Sequence, residues 1–161
     1  MADICEACGL SRGGLYRHYG STRQVFEEIL SSFSDDEDLI RQGIEQGKPA
    51  LQILNLVLER MGSEMLDGER SLSFAVYEYA CCCDRRFLSE INQKAHRKWT
   101  DFLNYGVARG EFAPVRAEQM ADVILYLYQG VRMWSRVVPL DEKTVKNMLD
   151  KIRSDLEKEK S

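Results

Sequence analysis

MADICEACGLSRGGLYRHYGSTRQVFEEIL, Met1 to Leu30, reads as two and a half helices with a tight turn between the first pair. Ile4, Ala7 and Cys8 lie on one side of a short first helix, Gly9 stands where a left-handed C-terminal cap is needed, and Ser11 is placed to cap the next helix. The pattern is a helix-turn-helix. Its second helix, Ser11 to Tyr19, holds Leu15 and Tyr19 four residues apart for the core and turns Arg12, Gly13, Gly14, Tyr16, Arg17 and His18 outward. Those outward residues suit DNA: arginines reach phosphates or guanine edges, a tyrosine hydroxyl bonds a phosphate, and adjacent glycines let backbone approach a groove closely.

Asp3, Ile4, Ala7, Gly9, Leu10, Ser11, Gly13, Leu15, Tyr16 and Tyr19 fall in register on one further pattern. An acidic residue and Ile are followed by small residues before a Gly, an apolar residue and Ser, then a Gly, an apolar-Tyr pair and a closing aromatic. In this the run Asp3 to Leu30 resembles the second, third and fourth helices of the tetracycline-repressor (TetR) family of transcriptional regulators. The resemblance implies a homodimeric repressor in which a small effector alters the spacing of two DNA-reading heads. Base contacts are then expected from Arg12, Gly13, Gly14 and Arg17, and phosphate contacts from Tyr16, His18, Thr22 and Arg23. Family members usually carry a helix ahead of this run, so the expected head, residues 1–33, is a helix-turn-helix without its first helix. Thr22 stands where the family usually has a phosphate-contacting lysine, with Arg23 beside it. Double-stranded operator DNA is thus the partner implied for a complete head. The body, residues 34–161, is left for effector binding and dimerisation.

Composition agrees with a folded helical protein. The chain has 161 residues, 44% hydrophobic and 30% charged, with a net charge of −4, which is neither the balance of a disordered chain nor a strongly basic field. Glycines and prolines fall between helical segments, and alternating β-branched runs are scarce; the expected fold class is all-α. The longest apolar stretch, Val123 to Val138, is broken by Gln129, Arg132, Ser135 and Arg136, short of a membrane span. Asp3 and Glu6 occupy the place of a basic leader region, so a cytoplasmic location is expected. Cys5 and Cys8 form an isolated C-x-x-C read as small buried packing residues, while Cys81, Cys82 and Cys83 are either core or an oxidant-sensitive pocket lining. The acidic run around Asp35 lacks the glycine and the bidentate glutamate of a calcium loop, and GIEQGK has the wrong spacing for a phosphate loop. No metal and no cofactor are expected.

Beyond the head the apolar periodicity predicts further helices. One runs from Thr22 to about Phe33, with Val25, Phe26, Ile29 and Leu30 inward, and residues 34–49 form a loop with a short helix. Others run from Pro49 to near Gly68, from Glu69 to about Cys83, from Asp84 to about Arg109, from Arg116 to Val138, and from Asp141 to about Lys158. The Arg116–Val138 segment carries two stripes: Met120, Ile124, Leu127, Val131, Trp134 and Val138, and beside it Val123, Tyr126, Gly130, Met133 and Val137. So wide a front predicts one side against the chain's own core and the other against a second copy; Ile124, Leu127, Val131 and Trp134, with Met148 and Ile152 of the last helix, are the expected dimerisation residues. His96, among Lys94, Arg97 and Lys98, reads as solvated.

With no nucleophile motif and two distant histidines, no enzyme is expected. The body holds more aromatic and methionine side chains than a minimal core needs. Met61, Met65, Phe74, Tyr77, Cys81, Trp99, Phe102 and Tyr126, with Glu78 and Arg132 as polar anchors, form the expected pocket for an apolar or aromatic effector, ordinary core packing being the alternative for each. The competing function is a helical homodimer that does not bind DNA and serves as a ligand-binding or interaction module.

Overall fold

The structure, a computed structural model, describes residues 1–35, 38–67, 72–82 and 85–158, and of residues 31–35 and 87 the backbone alone. Among the described residues the chain is all-α: nine helices and no strand. They divide into two compact units, Met1–Asp38 and Leu39–Ser161.

The first unit holds α1 (Ala2–Cys8), α2 (Arg12–His18) and α3 (Thr22–Asp35). The third runs past its expected end near Phe33 into the segment read as loop, since Ser34 and Asp35 still complete a turn. Asp36 and Glu37 of the acidic run lie outside the described residues.

The second unit holds α4 (Leu39–Glu45), α5 (Ala50–Leu66), α6 (Ser73–Cys82), α7 (Arg85–Ala108), α8 (Ala117–Trp134) and α9 (Glu142–Leu156). Its centre is α5, which packs on α4, α7, α8 and α9 and buries Ile53, Leu54, Leu58, Met61 and Met65. The α4–α5 approach is close enough that a Cβ on Gly43 would lie 2.6 Å from Ile53 Cγ1. Leu58, Trp99, Phe102, Ile124, Leu149 and Ile152, drawn from α5, α7, α8 and α9, belong to one continuous apolar core. Burial on this scale supplies the main driving force for the unit.

A knot between α7 and α8 fixes that core at one end. Gly110 takes the left-handed conformation expected of a C-terminal cap, φ 70°, and the chain doubles back so that Phe112 enters the core. There Phe112 meets Phe102 edge-on, centroids 5.6 Å apart, and lies so tightly on Gly106 that a Cβ at that position would come within 2.2 Å of its ring. The next residue back, Glu111, accepts a hydrogen bond from the N–H of Ala50, the first residue of α5, where Pro49 provides no side-chain cap. The Arg109 guanidinium, 2.5 Å away, holds the Glu111 carboxyl below the usual carboxylate range, and the α5 amides act in the same direction against partial burial.

Several expectations are corrected. The helix expected to reach Val138 stops at Trp134 with Ser135 as its cap; Val137 and Val138 precede Pro139, whose ring disfavours helical backbone before it, and both are exposed. Of the expected dimerisation residues, Ile124, Val131 and Ile152 are buried in the unit's own core and Leu127 and Met148 are half-buried against it, because α8 turns that stripe toward the helices it packs on, chiefly α7 and then α5; only Trp134 is exposed. The exposed stripe is the neighbouring one, with Val123, Tyr126 at 63% and Gly130. Cys5 is buried as expected, but Cys8 is exposed one turn later, and Cys81 and Cys82 are exposed on α6, whose inward place is taken by Ala80. Cys83 lies outside the described residues. His96 is not simply solvated, since its Nε2 sits 3.4 Å from Asp122 Oδ1 across the α7–α8 contact.

Candidate nucleic-acid interface

The turn between α1 and α2 forms as its residues dictate. Gly9 adopts φ 65°, ψ 22°, a region that costs a residue with a Cβ, and its N–H bonds back to α1 carbonyls. Leu10 N–H then closes the turn on Cys5 O at 3.0 Å. Ser11 is extended, and its Oγ accepts from Gly14 N–H at 3.1 Å, satisfying one of the donors left open at a helix start. Beyond α2, Ser21 Oγ accepts from Gln24 N–H at 3.2 Å, the cap that its place before Thr22 predicts, while Gln24 Oε1 accepts from Gly20 N–H at 2.6 Å, a return bond that the sequence reading did not name.

These caps fix α2, and Leu15, 4% exposed, pins it from beneath. Tyr19 is half-buried at the C-terminal end, its phenol pushed up by the Glu28 carboxylate of α3 beside it. At 3.6 residues per turn, Arg12, Gly13, Tyr16 and Arg17 fall within an arc of about 140° that leaves Leu15 outside it. All four are exposed, Tyr16 by 54%. The result is a small face with two guanidiniums flanking a phenol, over a glycine that leaves the backbone open.

The remaining expected contacts sit elsewhere on the head. Gly14 is half-buried with its N–H committed to the Ser11 cap, and a Cβ there would lie 3.1 Å from that hydroxyl. His18 is exposed on the flank of α2. Thr22 is exposed and its hydroxyl accepts from the Met1 amino group at 3.3 Å; Arg23 pairs with Glu27 at 2.8 Å. The structure thus gathers Arg12, Gly13, Tyr16 and Arg17 on one face and leaves the other four beside or behind it.

In the second unit the residues expected around an effector divide. Met61, Met65, Trp99 and Phe102 are buried, the last two edge-on with centroids 6.0 Å apart. Phe74, Tyr77, Glu78, Cys81 and Tyr126 are exposed, with the Arg136 guanidinium 5.6 Å from the Phe74 ring centre. Glu78 is therefore a surface residue rather than an interior anchor. Arg132 alone of the polar pair is drawn inward: it is half-buried, and its Nη1 donates to Tyr128 Oη at 2.9 Å.

Among the described residues no helix is long and apolar enough to cross a membrane, and no cluster of His, Cys, Asp and Glu is fit to hold a metal ion.

Residues 1–29 match the family model of the bacterial regulatory proteins of the tetR family. The chain is similar to the HTH-type transcriptional repressor KstR2 of Rhodococcus jostii, 29% identical over 70% of this chain and 57% of that protein. It is likewise similar to an uncharacterised HTH-type transcriptional regulator, YfiR, of Bacillus subtilis, 23% identical over 72% of this chain and 59% of that one. To KstR2 of Mycolicibacterium smegmatis it is 27% identical, over 71% and 58%. The chain therefore spans less than two thirds of the length of the curated relatives it matches. The turn at Gly9 and the cap at Ser11 lie within the matched residues: the chain is tetracycline-repressor-like, all-α among its described residues, with a TetR-type helix-turn-helix at its head.

Proposed function

We propose that the chain is a non-enzymatic, cytoplasmic transcriptional regulator of the TetR type, acting as a repressor, in which α2 enters the major groove of an operator. The observation that carries this reading is the exposed Arg12–Tyr16–Arg17 face on a helix held by its own caps. Arg12 and Arg17, with Gly13, make the base contacts, while Tyr16 serves a phosphate on the same face and His18, Thr22 and Arg23 serve phosphates on its flank. Residues 1–33 act as the reading head and 34–161 as the effector-binding and dimerising part. A small apolar or aromatic effector that binds one spacing of the two heads better than another changes operator affinity by that difference.

Selection from a random pool of DNA duplexes by the full chain, followed by gel shift, tests this. A two-fold-symmetric site is the expected product, and Arg17→Ala weakens its binding by about 1–3 kcal/mol. Undiminished binding by Arg17→Ala removes the recognition-helix assignment.

The second copy in this proposal packs on the exposed α8 stripe of Val123, Tyr126 and Trp134, with Gly130 admitting close approach because nothing lies within 4 Å of its Cβ position. Sedimentation of Tyr126→Arg decides: a monomer supports the assignment, a dimer as tight as the parent's refutes it.

The head's charge favours a second reading, a homodimeric ligand-binding or interaction module that does not touch DNA. Arg12, Arg17 and Arg23 stand against Asp3, Glu6, Glu27 and Glu28, 3 − 4 = −1, so no long-range attraction draws the head to phosphates. Failure of the selection to enrich any site supports that reading.

A further inference from the structure

Arg132, in the last turn of α8, has a buried Nε with no hydrogen-bond partner among the described residues. Its guanidinium is otherwise well held. Nη1 donates to the hydroxyl of Tyr128, one turn earlier, and the cation lies 4.8 Å from the centre of the same ring. Glu64 of α5 is near enough for its charge to favour the cation, yet its Oε1 already accepts from Arg60 Nε at 2.9 Å. Burial pushes the Arg132 guanidinium below its ordinary value, with Glu64 offsetting part of the effect. An arginine does not discharge in a protein, so a half-buried cation with its Nε–H left open is a ready donor for an acceptor that reaches it.

We propose that Arg132 is the anchor for the acid group of an amphipathic organic acid, a carboxylate on an apolar body, received through the open Nε–H with Tyr128 bracing the guanidinium. This rests on the effector-binding reading given above and names the class of effector. An anion is favoured because the orphaned donor belongs to a charged group, and charge-assisted bonds are the strong ones. A singly charged anion is favoured over a phosphate dianion because the Glu64 carboxylate stands close by and would repel the second charge. An apolar body suits the side chains nearby. Arg132 adjoins Val131 in the core that α5 and α8 share, which also holds Met61 and Met65.

Octanoate and octanamide, the same chain with and without the charge, are the probes. Calorimetry on the full chain at neutral pH is expected to give octanoate an advantage of about tenfold or more, the usual effect of a charge-assisted bond. The side-chain Nε–H resonance of Arg132 is expected to shift with octanoate and not with octanamide. Arg132→Gln levels the two affinities, and Tyr128→Phe, which keeps the ring, narrows the gap by less. Equal binding of the two probes to the parent chain, or octanoate binding that leaves the Arg132 resonance unmoved, overturns the proposal while leaving an effector site in place. Binding of neither probe overturns it together with the effector reading of this region. DNA selection is scored independently of both. Should Arg132→Gln fail to fold, the two probes and the resonance on the parent chain still decide.

Discussion

The two units solve the problem of stability differently. Met1–Asp38 buries only Cys5 and Leu15 among its described side chains, while Leu10, Tyr16 and Ile29 remain exposed; its shape is held by hydrogen bonds at Gly9, Ser11 and Ser21. Leu39–Ser161 is held by a continuous apolar core, locked at one end by Phe112 on Gly106. A local cap is worth about 1 kcal/mol and a core aromatic several times that. The head is thus shaped by local chemistry and is expected to open at lower cost than the body, whose shared core predicts a more cooperative opening.

That contrast can be broken in four places. Phe112→Ala empties the space between Gly106 and Phe102 and is expected to cost about 3–5 kcal/mol in urea unfolding, lowering hydrogen-exchange protection throughout α5, α7 and α8. A loss confined to the α7–α8 connection would show that the core is not one cooperative unit. Gly106→Ala drives a methyl into the Phe112 ring and is expected to cost about 1–3 kcal/mol or more, with the same spread of lost protection. Ser11→Ala removes the α2 cap at a cost of about 1 kcal/mol; amide exchange should quicken in α2 while the urea midpoint of the body stays where it was.

The smallest effect is pH-dependent. Arg109 lowers the folded-state pKa of Glu111, so its contribution is fully present above the ordinary glutamate value of about 4.3 and is lost as pH falls through the lower folded value. Glu111→Gln should therefore reduce stability near neutrality and flatten the acid limb of the stability curve. An unchanged acid limb would mean that the Ala50 amide and Arg109 do not rely on the charge.

Legibility in the sequence follows the same division. Gly9, Ser11 and Leu15 announce their roles because capping and helical periodicity act within a few residues, and the structure places all three as their spacing requires, while Tyr19, expected in the helix, is extended and half-buried just past its end. Arg12, Tyr16 and Arg17 were readable as an outward face for the same reason. In the body, helix existence was legible and helix ends less so, as Val137 and Val138 before Pro139 show. The choice between the two α8 stripes was not legible: Ile124 and Tyr126 both sit at sound helical spacings, and only the positions of α7 and α5 against α8 send the first inward and leave the second to solvent. Nor could spacing reveal that Glu111 would meet Ala50, 61 residues away, or that Arg132 would be drawn in and Glu78 left out.

The amino-acid sequence by itself determined an all-α chain with a TetR-type helix-turn-helix at Met1–Leu30, because caps, turn glycines and one-turn periodicities are properties of neighbours along the chain. The tertiary structure decided which face of α8 is left open, which glycine must stay bare for Phe112, and which arginine carries an unanswered donor. Each of those depends on how distant helices share a limited interior, and burial is a property of the packed assembly of helices rather than of any one of them.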